Sequence, residues 1–199
     1  MILAEEFFQY FRGVLEVSPL WNVMSRVKEG SPWHREESVF VHTDMVVSEY
    51  AARSPLVWSI DDMRGAFACA FHDTGKPDAK IVKYSEARGQ YFSFHGHEQK
   101  SARHWENYAV ENWAELSRWF EIEDIYKIGW MIEYHVPWTL KDQYKRAMLA
   151  KTANYVGLET FIRVLTADQW GRISDNHDVN KQEVLDWIVG FRKLCEEVK

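Results

Sequence analysis

Apolar residues along this chain recur mostly at helical spacing. His42, Met45, Val46, Glu49 and Tyr50 step at i, i+3, i+4, i+7 and i+8, and Met63, Phe67, Ala70 and Phe71 form a second stripe. Ile128, Met131, Ile132 and His135 make a third, and Leu158, Phe161, Ile162, Leu165 and Asp168 a fourth. Val184, Trp187, Ile188 and Phe191 predict a closing amphipathic helix. Pro19, Pro32, Pro55, Pro77 and Pro137 fall between helical-looking segments, where a residue without an N–H does least harm. The residues up to about Ser31 also look helical. One segment departs: Lys80–Tyr84 and Gln90–Phe94 are β-prone runs around a turn at Ser85–Gly89. The expectation is an all-α helical bundle with one small β-hairpin or lid loop near residues 80–94.

Several of these apolar faces carry a group that ordinary core packing does not want. His42, His135 and Asp168 lie in their stripes, and His97 is in register with Ser101, His104, Trp105 and Tyr108. His72 and Asp73 end the helix that carries Met63, Phe67 and Phe71. A buried polar group costs free energy unless it finds a partner. Taken singly, each has a plain account: a hydrogen-bonded core histidine, a helix cap, a buried ion pair. Five elements each turning a His or Asp inward are better explained by one shared partner, a divalent cation, whose accepted ligands are neutral imidazole and carboxylate. His72-Asp73-Thr74-Gly75-Lys76-Pro77 is the most specific stretch: two ligands at a helix end, a glycine freeing the turn, and an ammonium close by.

Composition narrows the class. In 199 residues, 46% are hydrophobic and 27% charged, which fits one globular unit over 1–199 and not a disordered chain. No apolar run spans a bilayer and the first residues lack a signal-peptide layout, so the expectation is a cytoplasmic protein without a membrane partner. Cys69 and Cys195 form no spaced set for a disulfide framework or thiolate site. The net charge of −6 argues against double-stranded DNA as a partner, leaving metal ions or a local basic patch to meet an anionic substrate. Ten tryptophans serve either as core filling or as a stacking surface for bases.

The order His42, His72-Asp73, His97, His135, Asp168 resembles the HD superfamily of metal-dependent phosphohydrolases, most of all the HD domain of bacterial CCA-adding tRNA nucleotidyltransferases and stand-alone relatives. Val39-Phe40-Val41-His42-Thr43 looks like the opening His-Thr helix, and Phe71-His72-Asp73-Thr74-Gly75-Lys76 like the signature. Phe94-His95-Gly96-His97-Glu98 with Ser101-Ala102 is similar to the glycine-histidine helix start, and Leu165 to Arg172 to the closing aspartate helix. The resemblance covers about residues 38–172. It departs in one respect: the helical-looking residues up to about Ser31 are expected to hold no nucleotidyltransferase catalytic domain, so that enzyme's substrate preference does not transfer by itself.

The resemblance implies a metal site of His42, His72, Asp73 and Asp168. His97 and His135 then either contact phosphate or, with Asp73 bridging, hold a second ion. The cofactor is one or two divalent ions among Mn, Ni, Co, Fe, Mg and Zn. Such an ion makes a bound water nucleophilic near neutral pH and offsets charge on phosphoryl oxygens. Asp73 and Lys76 are the candidate catalytic residues. Lys76, His95, Arg172 and Lys83 are candidate substrate contacts, with Lys80 and Arg88 as further hairpin cations. The plainer accounts are a solvated helix-end charge for Lys76, a solvated loop for the hairpin cations, and an Asp168 partner for Arg172. His34, Glu36 and Glu37 are weaker candidates, and His104 and His177 are structural or exposed. The expected reaction is phosphodiester or phosphomonoester hydrolysis on nucleotides or RNA 2′/3′-phosphate ends. The alternatives are hydrolysis of nucleoside or dinucleoside polyphosphates, a non-catalytic nucleotide-binding module, or a di-iron oxygenase. The sequence sets no oligomeric state.

Overall fold

A computed structural model describes residues 18–29, 34–86 and 89–198, with Ile2, Leu3, Gln9 and Gly13. Within these the chain runs β1 (Ile2–Leu3), α1 (Pro19–Met24), α2 (Val39–Ala52), β2 (Val57–Trp58), α3 (Ile60–Phe71) and α4 (Lys76–Ala79). It continues through β3 (Ile81–Ser85), β4 (Gly89–Ser93), α5 (His97–Glu111), α6 (Trp113–Leu116), α7 (Ile122–Glu133) and a 3-10 turn at Pro137–Thr139. It then passes through α8 (Gln143–Val156), α9 (Leu158–Trp170) and α10 (His177–Glu197). The molecule is mostly helical, as the periodicity predicts. Fourteen of the thirty residues before Ser31 lie outside the described residues, as does Arg88; α1 accounts for part of the helical reading there.

Short polar side chains fix where the site-bearing helices begin. Ser38 accepts from the N–H of Val41 at 3.3 Å and starts α2. Ser59 and Asp62 form a reciprocal capping box on α3. Glu121 and Asp124 do the same for α7, and Asp142 caps α8. Gly96, at φ 79°, takes the left-handed conformation that lets the chain leave β4 and enter α5.

Helix α3 lies at the centre, packed against α2, α7 and α9, with α5 against α7 and α10 against α8 and α9. Its Phe67 and Phe71 share one continuous core with Tyr50, Trp58, Trp105, Ile128 and Phe161. Trp21, Trp58, Trp105 and Trp130 are buried there, the core-filling use of tryptophan. The hairpin forms as predicted: β3 and β4 pair antiparallel, with Ile81 opposite Ser93 and Ser85 opposite Gly89. A second pairing, Ile2 with Trp58 and Leu3 with Val57, is too short to leave any period in the sequence.

Two close approaches bring the site together. At Gly171 an added Cβ would stand 2.6 Å from the Val46 Cα, so α9 can reach α2 only without a side chain there. At Gly75 it would stand 2.4 Å from the His97 carbonyl oxygen. The expectation that Gly75 frees a turn is corrected by its ordinary φ of −83°: the glycine is needed for contact with α5, not for backbone conformation.

Candidate metal centre

His42 points inward from α2, His72 caps the end of α3, and Asp73 follows it. His97 is the first residue of α5, His135 lies just beyond α7, and Asp168 is near the end of α9. All six are buried. They meet as two groups that share Asp73. In one, His42 Nε2 is 3.2 Å from His72 Nε2 and 3.2 Å from Asp168 Oδ1, and His72 Nε2 is 3.1 Å from Asp73 Oδ2. In the other, His97 Nε2 is 3.2 Å from His135 Nε2 and 3.1 Å from Asp73 Oδ1, with His135 Nε2 3.7 Å from that oxygen.

Tautomers follow from the partners of the outer ring nitrogens. Nδ1–H donates to the Cys69 carbonyl from His72 (2.6 Å), to the Phe94 carbonyl from His97 (2.8 Å) and to the Ile132 carbonyl from His135 (2.7 Å). A carbonyl only accepts, so Nδ1 carries a proton, and in the neutral imidazole Nε2 presents a lone pair. Two lone pairs 3.2 Å apart repel unless a positive charge lies between them. Ligand atoms about 2.1 Å from one cation and 90–109° apart are roughly 3.0–3.4 Å from one another. Two of the three spacings in each group, at 3.1–3.2 Å, fall in that range, and the third is 3.7 Å. His42, His72 and Asp168, and separately Asp73, His97 and His135, are thus buried groups that can hold a metal ion.

The electrostatics point the same way. Burial alone would raise Asp73, yet His72 and Lys76 hold it well below the ordinary carboxylate range. Burial would likewise raise Asp168, and Arg172 and His42 hold it down. Burial would lower His42, but Asp168, Glu36 and Asp73 push it up to about 9, so without a cation the first group draws in a proton. His135 is pushed down to about 3 by burial and by His72 and His97, which keeps it neutral and ready to ligate. Neither Asp73 oxygen completes a hydrogen bond, although Lys76 Nζ lies 2.6 Å from Oδ2.

Asp73, His97 and His135 of the second group and Asp168 of the first line a cleft of about 700 Å³, with His42 and His72 set behind it. Lys76 lines it but is buried, its ammonium between Asp73 and Glu29 (2.7 Å), so it is not a solvated helix-end charge. Arg172 lines it too and donates to Asp168 Oδ2 at 2.6 Å. His95 stands exposed at the cleft. Lys83 is not brought there: it sits on exposed β3, and β4, with Phe94 beyond it, forms the wall. Lys80 instead places Nζ 3.8 Å from the centre of the Phe92 ring. His34 and Glu36 join a polar network behind His42, whereas Glu37 is exposed. His104 pairs with Asp78 at 2.9 Å.

Sequence reasoning missed Glu29, Arg35 and Trp138. Glu29 and Arg35 belong to no periodic stripe, and Trp138 is one tryptophan among ten. Only its place three residues after His135 marked Trp138 out. No protein-family model matches the chain, and no curated protein matches it.

Proposed function

We propose that this chain is a metal-dependent phosphohydrolase of the HD type, acting on nucleotides or RNA ends that carry a 2′,3′-cyclic or terminal phosphate. One observation carries the reading: Asp73 turns one oxygen to each of two imidazole pairs, at 3.1 Å from His72 on one side and from His97 on the other. A carboxylate so placed bridges two cation positions, and the resemblance in ligand order points to phosphate esters. A divalent cation held there supplies a water of lowered pKa and positive charge opposite phosphoryl oxygens.

The chain's own residues prepare that chemistry. Carbonyl acceptors at Cys69, Phe94 and Ile132 fix three imidazoles with Nε2 inward. Lys76 keeps Asp73 ionised, and Arg172 grips one Asp168 oxygen while leaving Oδ1 toward His42. The second group offers only Asp73, His97 and His135, so a cation there keeps coordination positions for water and substrate. Phe94, Val136 and Trp138 supply an apolar wall suited to a base or ribose.

The test uses chelator-stripped protein reloaded with Mn, Co, Ni, Zn or Mg, given adenosine 2′,3′-cyclic monophosphate and adenosine 3′-monophosphate. Ion-dependent hydrolysis of one or both, abolished in His72→Ala, is the expected result. Turnover confined to nucleoside or dinucleoside polyphosphates shifts the substrate class; no turnover of any phosphate ester with any ion rejects the reading.

A further inference from the structure

Four imidazoles meet in the centre, and one is held differently. His72, His97 and His135 donate from Nδ1 to a neutral carbonyl three residues earlier. At His42 the equivalent carbonyl, that of Val39, is taken by the Thr43 hydroxyl at 2.9 Å. His42 Nδ1 faces the carboxylate of Glu36 instead, with Oε1 at 3.4 Å.

Glu36 is built into this position. Its side chain is fully buried, and Oε1 also accepts from the N–H of Ile173 at 2.7 Å. The Arg35 N–H donates to the Ile173 carbonyl at 2.8 Å, and the Arg35 guanidinium pairs with Asp175. The segment bearing Glu36 is therefore tied to the turn that follows Asp168 and Arg172. Both His42 and Asp168 are backed by a buried ionised side chain, whereas His135 is backed by a carbonyl alone and His97 by a carbonyl with only the part-exposed Glu98 Oε2 3.5 Å from its Nδ1, where solvent weakens the charge. A carboxylate behind an imidazole makes its far nitrogen the stronger donor to a metal, and partners of this kind set affinity 10–100-fold.

We propose that Glu36 is a positioning residue that makes the His42/His72/Asp73/Asp168 site the tighter of the two, so that ions load in a fixed order with this site first. The inference rests on the metal-centre reading above. It predicts unequal sites on one shared carboxylate, the occupied first site serving as the base on which a more weakly held ion comes and goes.

Mn²⁺ titration, with free ion counted by electron paramagnetic resonance and heat by calorimetry, tests it on wild-type protein, Glu36→Gln, Glu36→Asp and His135→Ala. Wild type takes up two ions in separable steps. His135→Ala keeps the tighter step and loses the weaker. Glu36→Gln weakens the tighter step about 10–100-fold with little change in the weaker one, and Glu36→Asp, which keeps the charge, recovers part of the loss. A general loosening of the fold would instead weaken both steps together, and that outcome overturns the proposal. So does a tighter step unchanged in Glu36→Gln, a tighter step lost in His135→Ala, or a third ion bound by wild type and lost in Glu36→Gln, which would make Glu36 a ligand. If Glu36→Gln does not fold, a Glu36→Asp protein whose tighter step alone is weakened supports it, and an unchanged tighter step or equal losses in both steps overturn it. A wild type that takes up no divalent ion fails earlier, at the metal centre itself.

Discussion

Replacing Gly75 by alanine probes how the two halves of the centre are held together. Two effects oppose each other. The backbone at φ −83°, ψ −7° suits alanine, and on chain entropy alone the change would stabilise by about 0.4–1 kcal/mol. The new Cβ, however, would lie 2.4 Å from the His97 carbonyl oxygen, 2.6 Å from the Ser101 nitrogen and 2.7 Å from the Lys100 Cβ. Carbon and oxygen settle at about 3.3–3.6 Å, so the first turn of α5 must retreat by about 1 Å. That stretches the 2.8 Å bond from the Gly75 N–H to the Ser101 hydroxyl. Overpacking costs about 1–3 kcal/mol and the weakened hydrogen bond about 1 more, so sterics win.

The net loss is about 1–3 kcal/mol, or roughly 3–10 °C in Tm for a chain of this size. The retreat also takes His97 away from Asp73. Their 3.1 Å contact opens to about 4 Å, beyond what two neighbouring ligands of one ion span. Thermal unfolding of metal-free protein, followed by Mn²⁺ titration, reads both effects: a lower Tm, and loss of the ion held by Asp73, His97 and His135. A Gly75→Ala protein with unchanged Tm and two intact binding steps would refute this account of the glycine.

Asp73→Asn keeps shape but removes the bridging charge, and equilibrium dialysis finds uptake at both sites lost; retention of one ion would mean that Asp73 serves a single site. Saturating an ion site to about 100 times Kd adds about 2.7 kcal/mol, roughly 5–10 °C, in a thermal melt against chelator-treated protein; a flat response across the metal series counts against the centre. Because His42 is pushed up to about 9 without a cation, loading at pH 7–8 displaces its proton, and affinity falls as pH drops; calorimetry in buffers of different ionisation heat detects the release, and none should be seen if His42 is not a ligand. Asp62→Asn removes a partner of Ser59 and Arg163 and costs about 1–2 kcal/mol at pH 7 in denaturant titration. Burial would raise the Asp62 carboxyl, but Ser59 and Arg163 hold it below its ordinary 3.8, so the contribution is present above about pH 4 and lost as pH falls through the folded value; a gap between variant and wild type that persists at pH 2 contradicts this.

What was legible in the sequence was whatever had a period or a tight local motif. His42, His135 and Asp168 could be placed because each falls in step with apolar neighbours on its helix, and the Lys80–Phe94 hairpin because its β-prone runs flank a turn. The purpose of Gly75 was not legible: a glycine before a helix looks the same whether it serves conformation or close approach. Glu29 and Arg35 were hidden because their partners, Lys76 and Asp175, are 47 and 140 residues away in segments without periodicity. The position of Lys83 outside the cleft lining is unreadable for a related reason. Composition shows that a hairpin carries lysines, but which strand lines the cleft is settled only by how the hairpin docks.

The charges of the cleft add a condition on any phosphate substrate. Each cation near the centre is already matched: Arg172 by Asp168, Lys76 by Asp73 and Glu29, Arg35 by Asp175. Glu29, Glu36, Asp73 and Asp168 set four carboxylates against the buried cations Lys76 and Arg172 and, in the metal-free centre, the protonated His42, an excess of one negative charge that becomes two when a metal displaces the His42 proton. A phosphate approaching the metal-free cleft of a chain that is itself at −6 therefore meets repulsion at long range and paired cations at short range. One divalent ion cancels the excess and a second reverses its sign. Phosphate affinity and ion affinity are then thermodynamically linked, each raising the other by the same factor. The weaker site gains most from this linkage, since its three protein ligands leave positions that phosphate oxygens can fill. Under the proposed function, a more weakly held second ion is then a consequence of the design: a phosphate substrate would complete the site that the protein leaves unfinished.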